Sequence, residues 1–283
     1  MSKLTLQSTL KLHTGTSIPL LGYGVFQAKG DDCYKGIIEA LKVGYRHIDD
    51  AQGYYNEEDA GRAIADTDIP REKIFVTTKY MPTKTVVPSS QVYDELKKSL
   101  PKLDNTKNGY IDLMLIHAPF GGPEGRASNW EALVKAQKEG WIKDIGVSNF
   151  GVRHLKELPS PKPTINQIEV HPWCQQKEII KYCQENDIAV EAYCPIVRAD
   201  PKRFAEPKLK KISEKHGKGP GEVLLRWSLQ KGLIPLIKSV TPSRIKSNTE
   251  LYDFELDDQD IADLDSLDEG AGGAISWNPV NDP

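Results

Sequence analysis

The sequence has no long apolar run. Its richest stretches, "LMLI" after Asp112 and "LIPLI" from Leu233, are far shorter than the roughly 20 residues a spanning helix needs. It has no large charge excess either: 37 Lys and Arg against 40 Asp and Glu leave a net charge of −3. That argues against non-specific binding to nucleic acid. Cysteine is sparse, and Cys33, Cys174, Cys183 and Cys194 show neither CxxC spacing nor histidines at metal-ligand spacing, so no metal is expected. No Asn-x-Ser/Thr site occurs, and the N-terminal residues alternate instead of forming a signal peptide's apolar core. A cytoplasmic protein with reduced thiols is the expectation.

Two phosphate-binding signatures are also missing. "GYGVFQAKG" carries only the first two glycines of a GxGxxG fingerprint, and there is no P-loop. A doubly wound nucleotide-binding sheet is therefore disfavoured.

What the chain does contain is a repeated pattern of short apolar strand, loop and amphipathic helix. Strands are expected at 20–22, 46–49, 74–78, 113–116, 144–147, 165–169, 189–192 and 235–237. Helical stretches such as "CYKGIIEALKVG" and "PGEVLLRWSLQKG" fall between them, several closing on glycine (Gly44, Gly140, Gly232). Eight such units are the number that closes a (β/α)8 TIM barrel. We expect one α/β barrel domain over 1–283, with an N-terminal β-hairpin over 1–18 and a C-terminal tail, 268–283, folding over the barrel mouth.

In such a barrel, chemistry gathers at the C-terminal ends of the strands. Those ends carry Asp49, Lys79, His117, Ser148, Asn149, Gln167, Tyr193 and Lys238, and Tyr54 follows five residues after Asp49. A phenol has a pKa near 10. A nearby ammonium lowers it, and a carboxylate behind the ammonium keeps that charge in place. Asp49, Lys79 and Tyr54 thus compose a tuned general acid suited to protonating a carbonyl oxygen, with His117 to orient that oxygen or share the proton. Lys79 alone suits a Schiff base equally well, which leaves an aldolase as the rival chemistry.

The motifs "GYRHIDDAQGYYNE", "IFVTTK", "DLMLIHAP", "GWIKDIGVSNF", "INQIEVHPW", "EAYCP" and "LIKSVTPSRIKSN" run in order through the chain. Together they resemble the aldo-keto reductase family, of the smaller microbial or fungal type. The resemblance implies an NADPH-dependent carbonyl reductase acting on aldehydes and ketones, dicarbonyls or sugar-derived carbonyls. It implies Tyr54 as proton donor, tuned by Lys79 and Asp49, with His117 orienting the carbonyl. Ser148, Asn149 and Gln167 would bind the nicotinamide carboxamide, and Tyr193 would stack on its ring. Lys238, Ser239, Val240, Thr241 and Arg244 would hold the adenosine 2′-phosphate, and Asn248 the adenine. Phe26, Tyr55 and Trp277 would line the substrate pocket. It further implies a small-molecule carbonyl as partner and a monomeric chain. A cofactor-binding, non-catalytic regulator on the same barrel is the second alternative.

Asp50 departs from the small residue the family has at that position. It is expected to accept backbone hydrogen bonds in its loop or, alternatively, to add negative charge near the cofactor.

Overall fold

The computed structural model describes residues 4–283. Strands β1 (Thr9–Lys11) and β2 (Ser17–Pro19) form the hairpin, paired antiparallel with Leu10 opposite Ile18. The first three residues of the expected hairpin lie outside the described residues. Eight further strands follow: β3 (Gly22–Gly24), β4 (His47–Asp49), β5 (Phe75–Tyr80), β6 (Ile111–Ile116), β7 (Ile142–Ser148), β8 (Ile165–Glu169), β9 (Ala189–Tyr193) and β10 (Ile234–Ile237). They pair in parallel and in chain order, and β10 closes against both β9 and β3 to complete the barrel.

All eight of these strands overlap their expected positions within a few residues. The first is shifted by two residues to Gly22–Gly24, where a β-carbon on Gly22 would meet both Leu236 and His47. Small residues there let the closing strand approach. The glycines expected to end helices do so: Gly44, Gly140 and Gly232 have φ of 113°, 87° and 74°, the left-handed backbone that glycine adopts without a Cβ clash. The helix after β6 starts at Gly122 and runs to Lys138, leaving only a short turn between strand and helix.

Strand periodicity sorts the core. Ile48, Val76 and Met114 face outward and pack with the surrounding helices in the main apolar cluster. At the barrel floor, Leu12 and Ile18 of the hairpin pack with Phe75, Leu113, Ile165 and Ile234. Thr14 reinforces that plug by donating to Asp144 at 2.7 Å. With the floor closed by apolar side chains, the polar interior residues of β4, β5, β8 and β9 collect toward the other end.

Candidate active site

Asp49 ends β4 and Lys79 lies one residue before the end of β5, both with side chains inside the barrel. Lys79 Nζ donates to Asp49 Oδ1 at 2.8 Å and to the Asp50 carbonyl at 2.8 Å. The Tyr54 hydroxyl is 3.4 Å from the same nitrogen, carried there by the single turn Gln52–Tyr54. The His117 ring, just past β6, stands edge-on to Tyr54 with centroids 5.7 Å apart. The four side chains expected to act together are therefore adjacent.

Their protonation follows from burial and charge. Burial alone would depress the Lys79 ammonium, but the Asp49 carboxylate outweighs it and the pKa stands above the ordinary lysine value. His117 is pushed down to about 3, by burial first and by Lys79 second, so the imidazole is neutral. Its Nδ1 is buried without a hydrogen-bond partner among the described residues.

Tyr54 corrects the expectation of a lowered phenol pKa. Burial raises it to about 12, and the pull of Lys79 offsets this only in part. The phenol is loaded with its proton at neutral pH. The ammonium acts on what forms afterwards, stabilising the phenolate left when that proton departs.

The neighbouring strand ends supply hydroxyl and amide groups. Ser148 Oγ donates to the Gln167 carbonyl at 2.8 Å. Asn149, at φ 64°, donates to the His117 carbonyl at 3.0 Å, and the Tyr193 hydroxyl lies 2.7 Å from its Oδ1. Gln167 Nε2 donates to Asp49 at 2.9 Å, which ties this amide cluster to the acid group. Past β10, Lys238, Val240 and Arg244 are exposed, while Ser239 and Asn248 are buried. Arg244 reaches Thr241 Oγ1 at 2.6 Å.

Amide and hydroxyl groups beside the acid, with exposed cations past the next strand, fit a nicotinamide dinucleotide: a carboxamide at one end and phosphates at the other.

The tail crosses the mouth. Trp277 sits 6.4 Å from the His117 ring and 5.6 Å from Phe120, and its carbonyl is 2.9 Å from the Tyr193 hydroxyl. Trp277 is not the tail's main apolar anchor. It is 46% exposed, whereas Val280 is buried. The path is tight: a β-carbon on Gly273 would strike the Trp173 carbonyl, and one on Gly151 the Val280 carbonyl. Phe26 stacks obliquely on Tyr54 at 5.0 Å. Tyr55 projects into solvent, 87% exposed, with left-handed backbone at φ 58°. It takes no packing role.

Asp50 is fully buried, and its Oδ1 accepts from the Ala51 N–H at 2.7 Å. Burial raises its pKa well above the ordinary carboxylate value, with the Ala51 N–H and Lys79 pulling the other way. The local hydrogen bond expected for this side chain is present.

The chain matches the sequence profile of the Aldo/keto reductase family over residues 21–269. It belongs to that family. The methylglyoxal reductase DkgA of Escherichia coli K12 is 38% identical over 93% of this chain and 94% of its own. The glycerol 2-dehydrogenase (NADP(+)) of Saccharomyces cerevisiae is 35% identical over 95% of each. Among solved structures, MGS-M4, an aldo-keto reductase from a Medee basin deep-sea metagenome library, superposes with a TM-score of 0.89. It is 35% identical and covers 98% of this chain and 99% of its own. This aldo-keto reductase is accordingly a (β/α)8-barrel oxidoreductase of carbonyl substrates, which explains why no GxGxxG fingerprint is present.

Three histidines with no partner apparent in the sequence prove to be bonded. His47 pairs with Thr77 at 3.0 Å, His171 with Glu169 at 2.9 Å, and His154 with the Asp282 carbonyl at 2.7 Å. Sequence reasoning also missed Glu169 and Glu191, two buried acids on interior strand positions. For Glu191, a carboxylate inside the otherwise apolar strand "AVEAY" was the available signal.

Proposed function

We propose that this enzyme reduces aldehyde and ketone carbonyls, α-dicarbonyls among them, with NADPH, and that Tyr54 donates the proton. The contact of Lys79 with both Asp49 and Tyr54 carries the reading. A substrate oxygen placed between the Tyr54 hydroxyl and the neutral His117 imidazole can accept hydrogen bonds from both. NADPH held there would supply a hydride to the carbonyl carbon. Tyr54 then passes its proton to the oxygen, completing the alcohol, and the resulting phenolate rests against the Lys79 ammonium. Aromatic walls from Phe26, Phe120 and Trp277 shield that transfer from water.

Ser148, Asn149 and Gln167 would hold the carboxamide, with Tyr193 against the ring. Lys238, Ser239, Val240, Thr241 and Arg244 would take the adenosine phosphate, with Asn248 beside the adenine. The exposed Lys238 and Arg244 favour the 2′-phosphorylated form. The names of the E. coli and yeast relatives support a dicarbonyl substrate and NADP, respectively. An aldolase role for Lys79 is disfavoured, because imine formation needs a neutral amine and this one is held charged.

The test is oxidation of NADPH and NADH over a panel of aldoses, aromatic aldehydes, α-dicarbonyls and ketolactones. Turnover preferring NADPH is expected. NADPH binding with no carbonyl reduced would point to the regulator instead.

A further inference from the structure

Below the acid group, the barrel interior holds polar side chains that the reaction just described does not use. Glu191 of β9 is fully buried, in register with Gln167 on β8. Gln167 Nε2 donates to Glu191 Oε2 at 2.7 Å and to Asp49 Oδ2 at 2.9 Å. The amide nitrogen has two hydrogens, and each goes to a carboxyl group. Turning the amide over would set its oxygen against the Asp49 carboxylate, so this orientation is forced. Both of these hydrogen bonds use the nitrogen, and Gln167 Oε1 takes part in neither.

We propose that Glu191 is a positioning residue for catalysis. Through Gln167 it braces Asp49 against Lys79 and keeps the Gln167 carbonyl oxygen free for the cofactor carboxamide. The second half of this rests on the reductase reading; the first does not.

The charges of the enclosed interior support the assignment. Lys79 and Asp49 balance, so an ionised Glu191 would add an uncompensated negative charge. Burial, then Asp49, push the Glu191 carboxyl up to about 8, with Gln167 and Lys79 pulling the other way. The groups facing it are Asp49 and His47 from β4, Lys79 from β5 and Gln167 from β8. His47 is held down at about 4, chiefly by burial, and is neutral. Its Nε2 is 3.5 Å from Glu191 Oε1, too far for a firm hydrogen bond. Glu191 is thus neutral through pH 7. Ionisation above that adds negative charge near the phenolate that must form on Tyr54, and disfavours it.

The experiment uses the full chain with Glu191→Gln and Glu191→Leu. It records kcat against pH with one aldehyde, NADPH affinity by fluorescence quenching, and the side-chain amide 15N–1H signals of Gln167 in cofactor-free protein. In the parent, kcat should fall as pH rises through about 8, and Glu191→Gln should lack that fall. Glu191→Leu should lower both kcat and NADPH affinity by roughly tenfold, the scale of one hydrogen bond lost, while the carbonyl KM stays near the parent's. Glu191→Gln retaining the parent's alkaline fall, or a folded Glu191→Leu with parental kcat and affinity, overturns the proposal. If the leucine variant does not fold, the glutamine profile decides. If the parent reduces no carbonyl, the reductase reading fails by itself. The side-chain amide 15N–1H signals of Gln167 in cofactor-free protein then decide for Glu191: signals shifted in Glu191→Leu support the bracing role, and signals unchanged there overturn it.

Discussion

Glu169 Oε1 accepts the backbone N–H of Ile275 at 2.6 Å, joining the end of β8 to the C-terminal tail. The second oxygen takes the next N–H, from Ser276, at 3.1 Å, and His171 steadies the carboxylate from below at 2.9 Å. One buried side chain therefore sets where the tail crosses the barrel mouth and where Trp277 hangs. Replacing Glu169 with Ala should loosen that crossing. The carbonyl KM should rise by roughly three- to tenfold, the scale of the two charge-assisted hydrogen bonds lost, with NADPH affinity little changed. Steady-state kinetics beside fluorescence titration separates the two, and parallel losses in both would contradict the account.

Trp277→Ala tests the tail's own contribution to substrate choice. The ring is nearly half exposed and rests on His117 and Phe120, so its removal should leave Tm within about 2 °C while changing relative kcat/KM across the carbonyl panel. Truncation before Ala274 is a blunter tool. It also deletes buried Val280 and the Asp282 carbonyl that Arg153 and His154 engage, so it should lower Tm as well.

Asp50 offers a stability prediction with a definite pH sign. Its folded pKa is raised, so its contribution is fully present below the unfolded carboxyl pKa and is lost as pH rises through the folded value. Asp50→Asn does not titrate. Melting curves should therefore show the variant gaining on the parent as pH rises from 4 to 8. A constant difference across that range would mean that the Asp50 carboxyl pKa is not raised by folding.

Two buried histidines contribute on the acid side. His47 and His117 have depressed folded values, about 4 and about 3. Their contribution is present above the unfolded histidine pKa and lost as pH falls through the folded ones. Stability should drop between pH 6 and pH 3, and His47→Gln should make that drop shallower. Urea denaturation at stepped pH measures it, and an unaltered slope in the variant would contradict the assignment.

The barrel could be read from the sequence because its signals are local: apolar strands, amphipathic helices and glycine at helix ends. So could Asp49, Tyr54, Lys79 and His117, which stand at or close after strand ends with the expected chemical types. What could not be read depends on contacts between distant segments. The hydrogen-bonded states of His47, His154 and His171 and the clamp of Glu169 on the tail require three-dimensional neighbours. The pKa of Tyr54 was misjudged for a related reason. Sequence spacing revealed the ammonium, whereas the burial that outweighs it belongs to the assembled mouth.

The central claim is that Tyr54 supplies the proton through its contact with Lys79. It is tested most directly by single-turnover NADPH oxidation with methylglyoxal in the parent and in Tyr54→Phe, with NADPH affinity measured in both. The account predicts a rate lower by about 10²–10⁴-fold in the variant, with NADPH affinity unchanged. A Tyr54→Phe enzyme that turns over at the parent's rate would contradict it.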